Sequence, residues 1–137
     1  MPNVDIAAIR DVKSLKGSLP PEEWNARVDL AACYRLVRAK GWNMNIFNHA
    51  SMRVPGDPDF FLIKAHALLW DEVTASNLVK VNMHKELDEK SFVNRLGFVL
   101  HSGILRGRRD VNAIVHIHEE ACVAISTTKD GILPFTQ

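Results

Sequence analysis

The chain is poor in the residues that make covalent scaffolds and membrane anchors, and neither charge sign is in excess. It has two cysteines and one tyrosine, and its 17 lysines and arginines face 16 aspartates and glutamates. Cys33 and Cys122 each sit in a short apolar run. Two such residues exclude a disulfide framework and read as small core side chains. A formal net charge of +1 argues against a nucleic-acid grip, which needs a basic excess. No apolar run nears the roughly 20 residues of a bilayer crossing. Met1 to Asp5 shows no basic region followed by an apolar stretch, so no signal peptide is expected. These absences predict a soluble, cytoplasmic protein with no nucleic-acid or membrane partner. Hydrophobic residues at 47% and charged residues at 24% lie in the globular range and exclude disorder and fibrous repeats. A length of 137 residues fits a single domain.

Periodicity outlines the elements. Residues 1–17 are weakly amphipathic through Ile6, Ile9 and Val12, and read as an N-terminal arm. Ser18 is placed to cap a helix opening on Pro20, Pro21, Glu22 and Glu23, and Gly41 ends it. Its expected buried face is Trp24, Val28, Ala31, Ala32, Cys33 and Leu36. Residues 45–54 and Phe60 to Ile63, around a turn at 55–59, read as an antiparallel hairpin. Leu68 to Thr74 is a turn or short helix, and Leu78 to Asn82 a strand. Met83 to Lys90 is a polar turn with a small strand. A second long helix spans Ser91 to Arg106, with Phe92, Leu96, Val99, Leu100, Gly103 and Ile104 as its expected buried stripe. Ala113 to His118 is a strand, and a short helix follows from Glu119 to Ser126. Ile132 to Phe135 reads as the start of another strand.

The chemistry-bearing motif is His116-Ile117-His118. Strand side chains alternate faces, so both imidazoles point the same way from Cα atoms about 6.5 to 7 Å apart. Two rings at that spacing suit one divalent metal. The alternative is a polar strand face hydrogen-bonded to its neighbours.

Arg109-Asp110-Val111-Asn112-Ala113-Ile114-Val115-His116-Ile117-His118 resembles the metal-binding strand of the class II aldolase/adducin family. Leu30 to Leu36 with Gly41-Trp42 is similar to the family's first helix. Phe61-Leu62-Ile63 and Asp71 to Val81 are similar to its early sheet. The resemblance covers about residues 20–137. It implies an α/β fold, an αβα sandwich around a mostly antiparallel central sheet, truncated at the C-terminus. It implies His116 and His118 as ligands of a divalent metal, typically zinc, with a third histidine expected beyond residue 137. It also implies a homo-oligomer, tetrameric in the family, and a lyase that breaks carbon–carbon bonds through a metal-stabilised enediolate. No lysine Schiff base is needed, so Lys64, Lys80 and Lys85 are expected to be surface or peripheral. His84, in its polar turn, is not expected to substitute as a ligand.

The sequence also departs from the family. The aldolases' acid–base glutamate aligns with Gly97, which transfers no proton. His101, one turn later on the same helix face, is the candidate catalytic group; the alternative is a hydrogen-bonded core histidine. The phosphate-binding turns correspond to Asn48-His49 and His66-Ala67, whose larger side chains disfavour a phosphate. Asn48, His49 and His66 are therefore candidate contacts for a carboxylate or hydroxyl on a small, non-phosphorylated substrate. For His49, the alternative is a brace for the hairpin. Arg106, Arg108 and Arg109 read as a solvated helix end, the alternative being contact with an anionic partner, and Trp42, Phe47, Phe60 and Phe61 read as core, the alternative being the lining of a pocket. Three functions remain: a metal-dependent lyase on a hydroxycarbonyl or hydroxy-acid, a non-catalytic assembly domain like the adducin head, or a folding remnant.

Overall fold

The alternation from Phe60 to Ile63 becomes the spine of the molecule. In the computed structural model, which describes residues 6–88 and 91–133, β1 (His49–Val54) and β2 (Asp57–Ile63) pair antiparallel. Their turn runs through Pro55 and Gly56, where φ is +76°, a conformation that glycine adopts without a Cβ clash. β3 (Val79–Asn82) pairs with β2, and β4 (Ala113–His116) pairs with β1, both antiparallel. The open sheet has the order β3-β2-β1-β4.

Two-residue periodicity then sorts the side chains. Ala50, Val54 and Leu62 join the core under helix α2 (Pro21–Ala39), together with Leu30, Tyr34 and Trp70. Phe61, Ile63 and Val81 join the second core with Phe98 and Leu105 of helix α3 (Arg95–Gly107). Helices on both faces of an antiparallel sheet give the expected αβα sandwich. Helix α1 (Ile6–Arg10) sends Ile9 into the core, and α4 (Glu120–Ser126) has no buried residue. Leu68 to Thr74 contains a short 3-10 turn at Trp70–Glu72.

Several local expectations are corrected. Pro20, not Ser18, stands at the start of α2, with no side-chain cap. The buried face of α2 is Glu23, Ala26, Arg27, Leu30, Ala31, Tyr34 and Val37, while Val28, Ala32 and Leu36 are exposed. Its buried charges are satisfied. Arg27 Nη1 donates to the Leu78 carbonyl at 2.8 Å, Arg27 pairs with Glu23 at 2.9 Å, and Glu23 also takes Lys80 at 3.0 Å. On α3 the expected stripe is turned outward: Phe92, Leu96, Val99, Leu100, Gly103 and Ile104 are all exposed. Gly97, Phe98, His101, Ser102 and Leu105 face the sheet instead.

Lys64 is buried rather than peripheral, and Cys122 is exposed. Trp42 and Phe47 are exposed, whereas Phe61 is buried. Met83 is buried, and no strand follows it through Asp88. Ile132 and Leu133 form no strand; residues 134–137, 1–5 and 89–90 lie outside the described residues.

Candidate functional site

Register builds the site. His49 of β1 lies opposite His116 of β4, and Ser51 lies opposite Ile114. The same alternation that sends Ala50 toward α2 sends His49 and Ser51 toward α3. Asn94 caps α3 by accepting from the amides of Leu96 at 2.8 Å and Gly97 at 3.2 Å. The helix start therefore sits at the site, and His101 is delivered one turn beyond Gly97.

The rings of His49, His101, His116 and His118 form one cluster. His49 Nδ1 lies 2.7 Å from His101 Nε2. His101 Nδ1 is hydrogen-bonded to Ser51 Oγ. The His49 and His116 ring centroids are 4.9 Å apart, as are those of His116 and His118. The Nε2 atoms of His116 and His118 converge to 3.1 Å, although β4 ends at His116. The strand alternation predicted for these two rings thus carries one residue pair past the strand.

A cavity of about 360 Å³ opens beside the cluster. Asn48, His49, His66, His116 and His118 all line it, with Ile46 and Phe47 forming apolar wall. Asn48 adopts a φ of +63°, and its Oδ1 accepts from the Met44 amide at 3.1 Å, which shapes the loop before β1. His66 Nδ1 meets Asn94 Nδ2 at 3.2 Å. His101 is fully buried and is not part of the cavity wall. Its two hydrogen bonds are those of a satisfied core histidine, and it reaches the cavity only through His49.

His49, His66, His101 and His116 favour neutrality. Burial pushes His49 down to about 4, assisted by His116 and Lys64. Burial pushes His101 down to about 3, with His49 and then His116 adding to the effect. His66 and His116 are also lowered, mainly by burial. Among the described residues no carboxylate lines the cavity to offset an imidazolium.

Neutral imidazole is the form that binds a metal. The two Nε2 atoms stand about as far apart as two ligands sharing one ion through bonds of about 2.0 to 2.1 Å. His116 Nδ1 is buried without a hydrogen-bond partner, so that ring is not held by a competing contact there. Two ligand positions therefore fit a divalent metal. Among the described residues no group of three His, Cys, Asp or Glu side chains converges to complete one.

Ser51 and Asn94 escaped the sequence reading, and Lys64 was expected at the surface. Ser51 shares its strand face with His49 two residues away, a signal as plain as His-x-His. Lys64 interrupts the apolar run Phe60 to Leu69, which marks a buried charge. Its Nζ donates to the carbonyls of Ile46 at 2.8 Å and Leu68 at 2.9 Å, and approaches those of His66 at 3.3 Å and Ala65 at 3.4 Å. Burial pushes its pKa down to about 8.

The sequence model for the Class II Aldolase and Adducin N-terminal domain matches residues 28–137. A Caulobacter vibrioides protein named for aldolase class 2 is 44% identical over 126 residues, covering 90% of this chain and 49% of that protein. Rat alpha-adducin (Rattus norvegicus) is 40% identical over 142 residues, covering 98% of this chain and 19% of the adducin. The crystal structure of an aldolase II superfamily protein from Pseudomonas syringae superposes with a TM-score of 0.78 at 44% identity, covering 91% of this chain and 52% of that one. The chain spans about half the length of the class 2 aldolase relatives it matches. A family match over most of the chain, on a sandwich with the same architecture, places this protein in the class II aldolase and adducin N-terminal domain family.

Proposed function

We propose that the chain is the metal-holding part of a carbon–carbon lyase acting on a small, non-phosphorylated hydroxycarbonyl or hydroxy-acid substrate. One observation carries this reading: the imidazoles of His116 and His118 bring their Nε2 atoms to 3.1 Å of each other on the wall of a cavity sized for a small molecule. Family members are typically divalent-metal dependent, and a pair of imidazole nitrogens suits zinc. When bound, such an ion supplies Lewis-acid stabilisation of negative charge developing on a substrate oxygen. The third ligand would come from outside the described residues, either of this chain or of a neighbour in a homo-oligomer.

The chain's own residues bind and orient. His49, His66 and Asn48 offer polar atoms to hydroxyl and carboxylate oxygens, while Ile46 and Phe47 limit water. The side chains of His49 and His66 occupy the room that a phosphate would need. His101 acts through His49 rather than on the substrate. Metal analysis of the purified protein tests the reading. Wild type should retain a divalent ion that the His116→Ala/His118→Ala variant loses, and equal content in the two would refute it.

A second reading is favoured by Gly97, which stands where the aldolases carry their acidic residue, and by the 40% identity to alpha-adducin. In that reading the domain serves assembly. A metal-free protein that forms a defined oligomer and turns over no hydroxycarbonyl compound would support it.

A further inference from the structure

Gly97 and His49 compete for one space. A Cβ at position 97 would stand 2.9 Å from both Cδ2 and Nε2 of His49, closer than real Cβ atoms approach their neighbours. The His49 ring therefore fills the place that a side chain at position 97 would take. The ring lines the cavity, its Cδ2–Nε2 edge faces Gly97, and its Nδ1 edge is tied to His101.

The proton positions along this tie follow from burial. Ser51 is fully buried, and among the described residues the one hydrogen bond of its side chain is to His101 Nδ1. A hydroxyl hydrogen with no water to receive it goes to the acceptor it has. Ser51 thus donates, and His101 Nδ1 is bare. A neutral His101 then carries its hydrogen on Nε2 and donates it to His49 Nδ1, 2.7 Å away. A neutral His49 in turn carries its hydrogen on Nε2, on the side of the ring that faces Gly97.

We propose that Ser51 and His101 are positioning residues that lock His49 as the Nε2–H tautomer, making it a standing hydrogen-bond donor to a carbonyl or carboxylate oxygen of the ligand. The donor occupies the place of the side chain that Gly97 does not have. A protonated Nε2 is also no metal ligand, which accounts for His49 lying beside His116 without joining the His116–His118 pair. The inference rests on the cavity taking a small oxygenated substrate, as in the function proposed above.

The test has two arms on the full chain. The first is ¹H–¹⁵N correlation of the histidine rings in metal-free protein. Wild type should show His49 and His101 each as the Nε2–H form, and Ser51→Ala should shift both toward a mixture of tautomers. Finding His49 as Nδ1–H, or finding Ser51→Ala without effect, overturns the lock. The second arm follows glycolate binding by NMR titration. His49→Leu should weaken binding about tenfold, the worth of one hydrogen bond to a charged group, whereas His49→Gln, which keeps a donor, should retain most of it. Equal binding by all three proteins, or none by wild type, overturns the donor role. If His49→Leu does not fold, Ser51→Ala takes its place, with weakened binding expected. The metal content of the His116→Ala/His118→Ala variant judges the lyase reading separately, so either idea can fail while the other stands.

Discussion

At the scale of single residues, the contact between Gly97 and His49 makes a reciprocal prediction. Gly97→Ala adds a methyl 2.9 Å from the His49 ring and should destabilise the protein by roughly 1–3 kcal/mol through overpacking. In a His49→Ala background the same change should become neutral or stabilising, since alanine suits a helix better than glycine by up to about 1 kcal/mol. Urea unfolding of the four proteins of this cycle measures the coupling; simple additivity would mean that the two positions do not compete. His101 makes a prediction in pH. Its folded pKa, about 3, lies below an unfolded value of about 6.5. Between those values the unfolded chain binds a proton that the folded chain does not. Stability from this group is therefore complete above about pH 6.5 and is lost as pH falls toward 3, at up to about 1.4 kcal/mol per pH unit. The urea midpoint of metal-free protein should fall below pH 6, and His101→Gln should make that fall shallower.

At the scale of elements, α3 shows why a hydrophobic pattern can point the wrong way. The helix lays Phe98 and Leu105 on the sheet, but between them it must meet Ser51 and His49, so its inner face also carries Gly97, His101 and Ser102. A count of apolar residues then selects the opposite side, Leu96, Val99, Leu100 and Ile104. α2 was misread for the same reason, because its inner face includes Arg27 and Glu23 bound to β3 and the segment before it. The strands were legible where an apolar run is bounded by turn residues, as Phe60 to Ile63 is after the turn at 55–59, and the two-residue spacing of His116 and His118 made their common side legible. The histidine cluster as a whole was not, since only strand register brings His49 opposite His116. The outward stripe can be checked directly. Leu96→Lys should change stability by less than about 0.5 kcal/mol, whereas Leu105→Ala should cost roughly 2–5 kcal/mol. Asn94→Ala, which removes the cap of α3, should cost about 1 kcal/mol. Urea denaturation ranks the three, and a large loss at Leu96 would return the helix to its expected orientation.

At the scale of the whole molecule, burial falls off toward one edge. β1 and β2 lie inside the sheet, whereas β4 has a free edge among the described residues and is followed by a helix with no buried residue. Amides of α4 should exchange with solvent much faster than those of β1 and β2, as hydrogen-exchange mass spectrometry would show; uniform protection would contradict this gradient. On the opposite side of the cavity the architecture is tighter. The Lys64 ammonium ties the carbonyl of Ile46, in the loop before β1, to that of Leu68, after β2. Shortening that side chain would leave a polar hollow of the size that a potassium or ammonium ion fills. In a Lys64→Ala protein, small amines or potassium in the buffer should then act as a chemical prosthesis, restoring the melting temperature in proportion to how well each cation fits among the vacated oxygens.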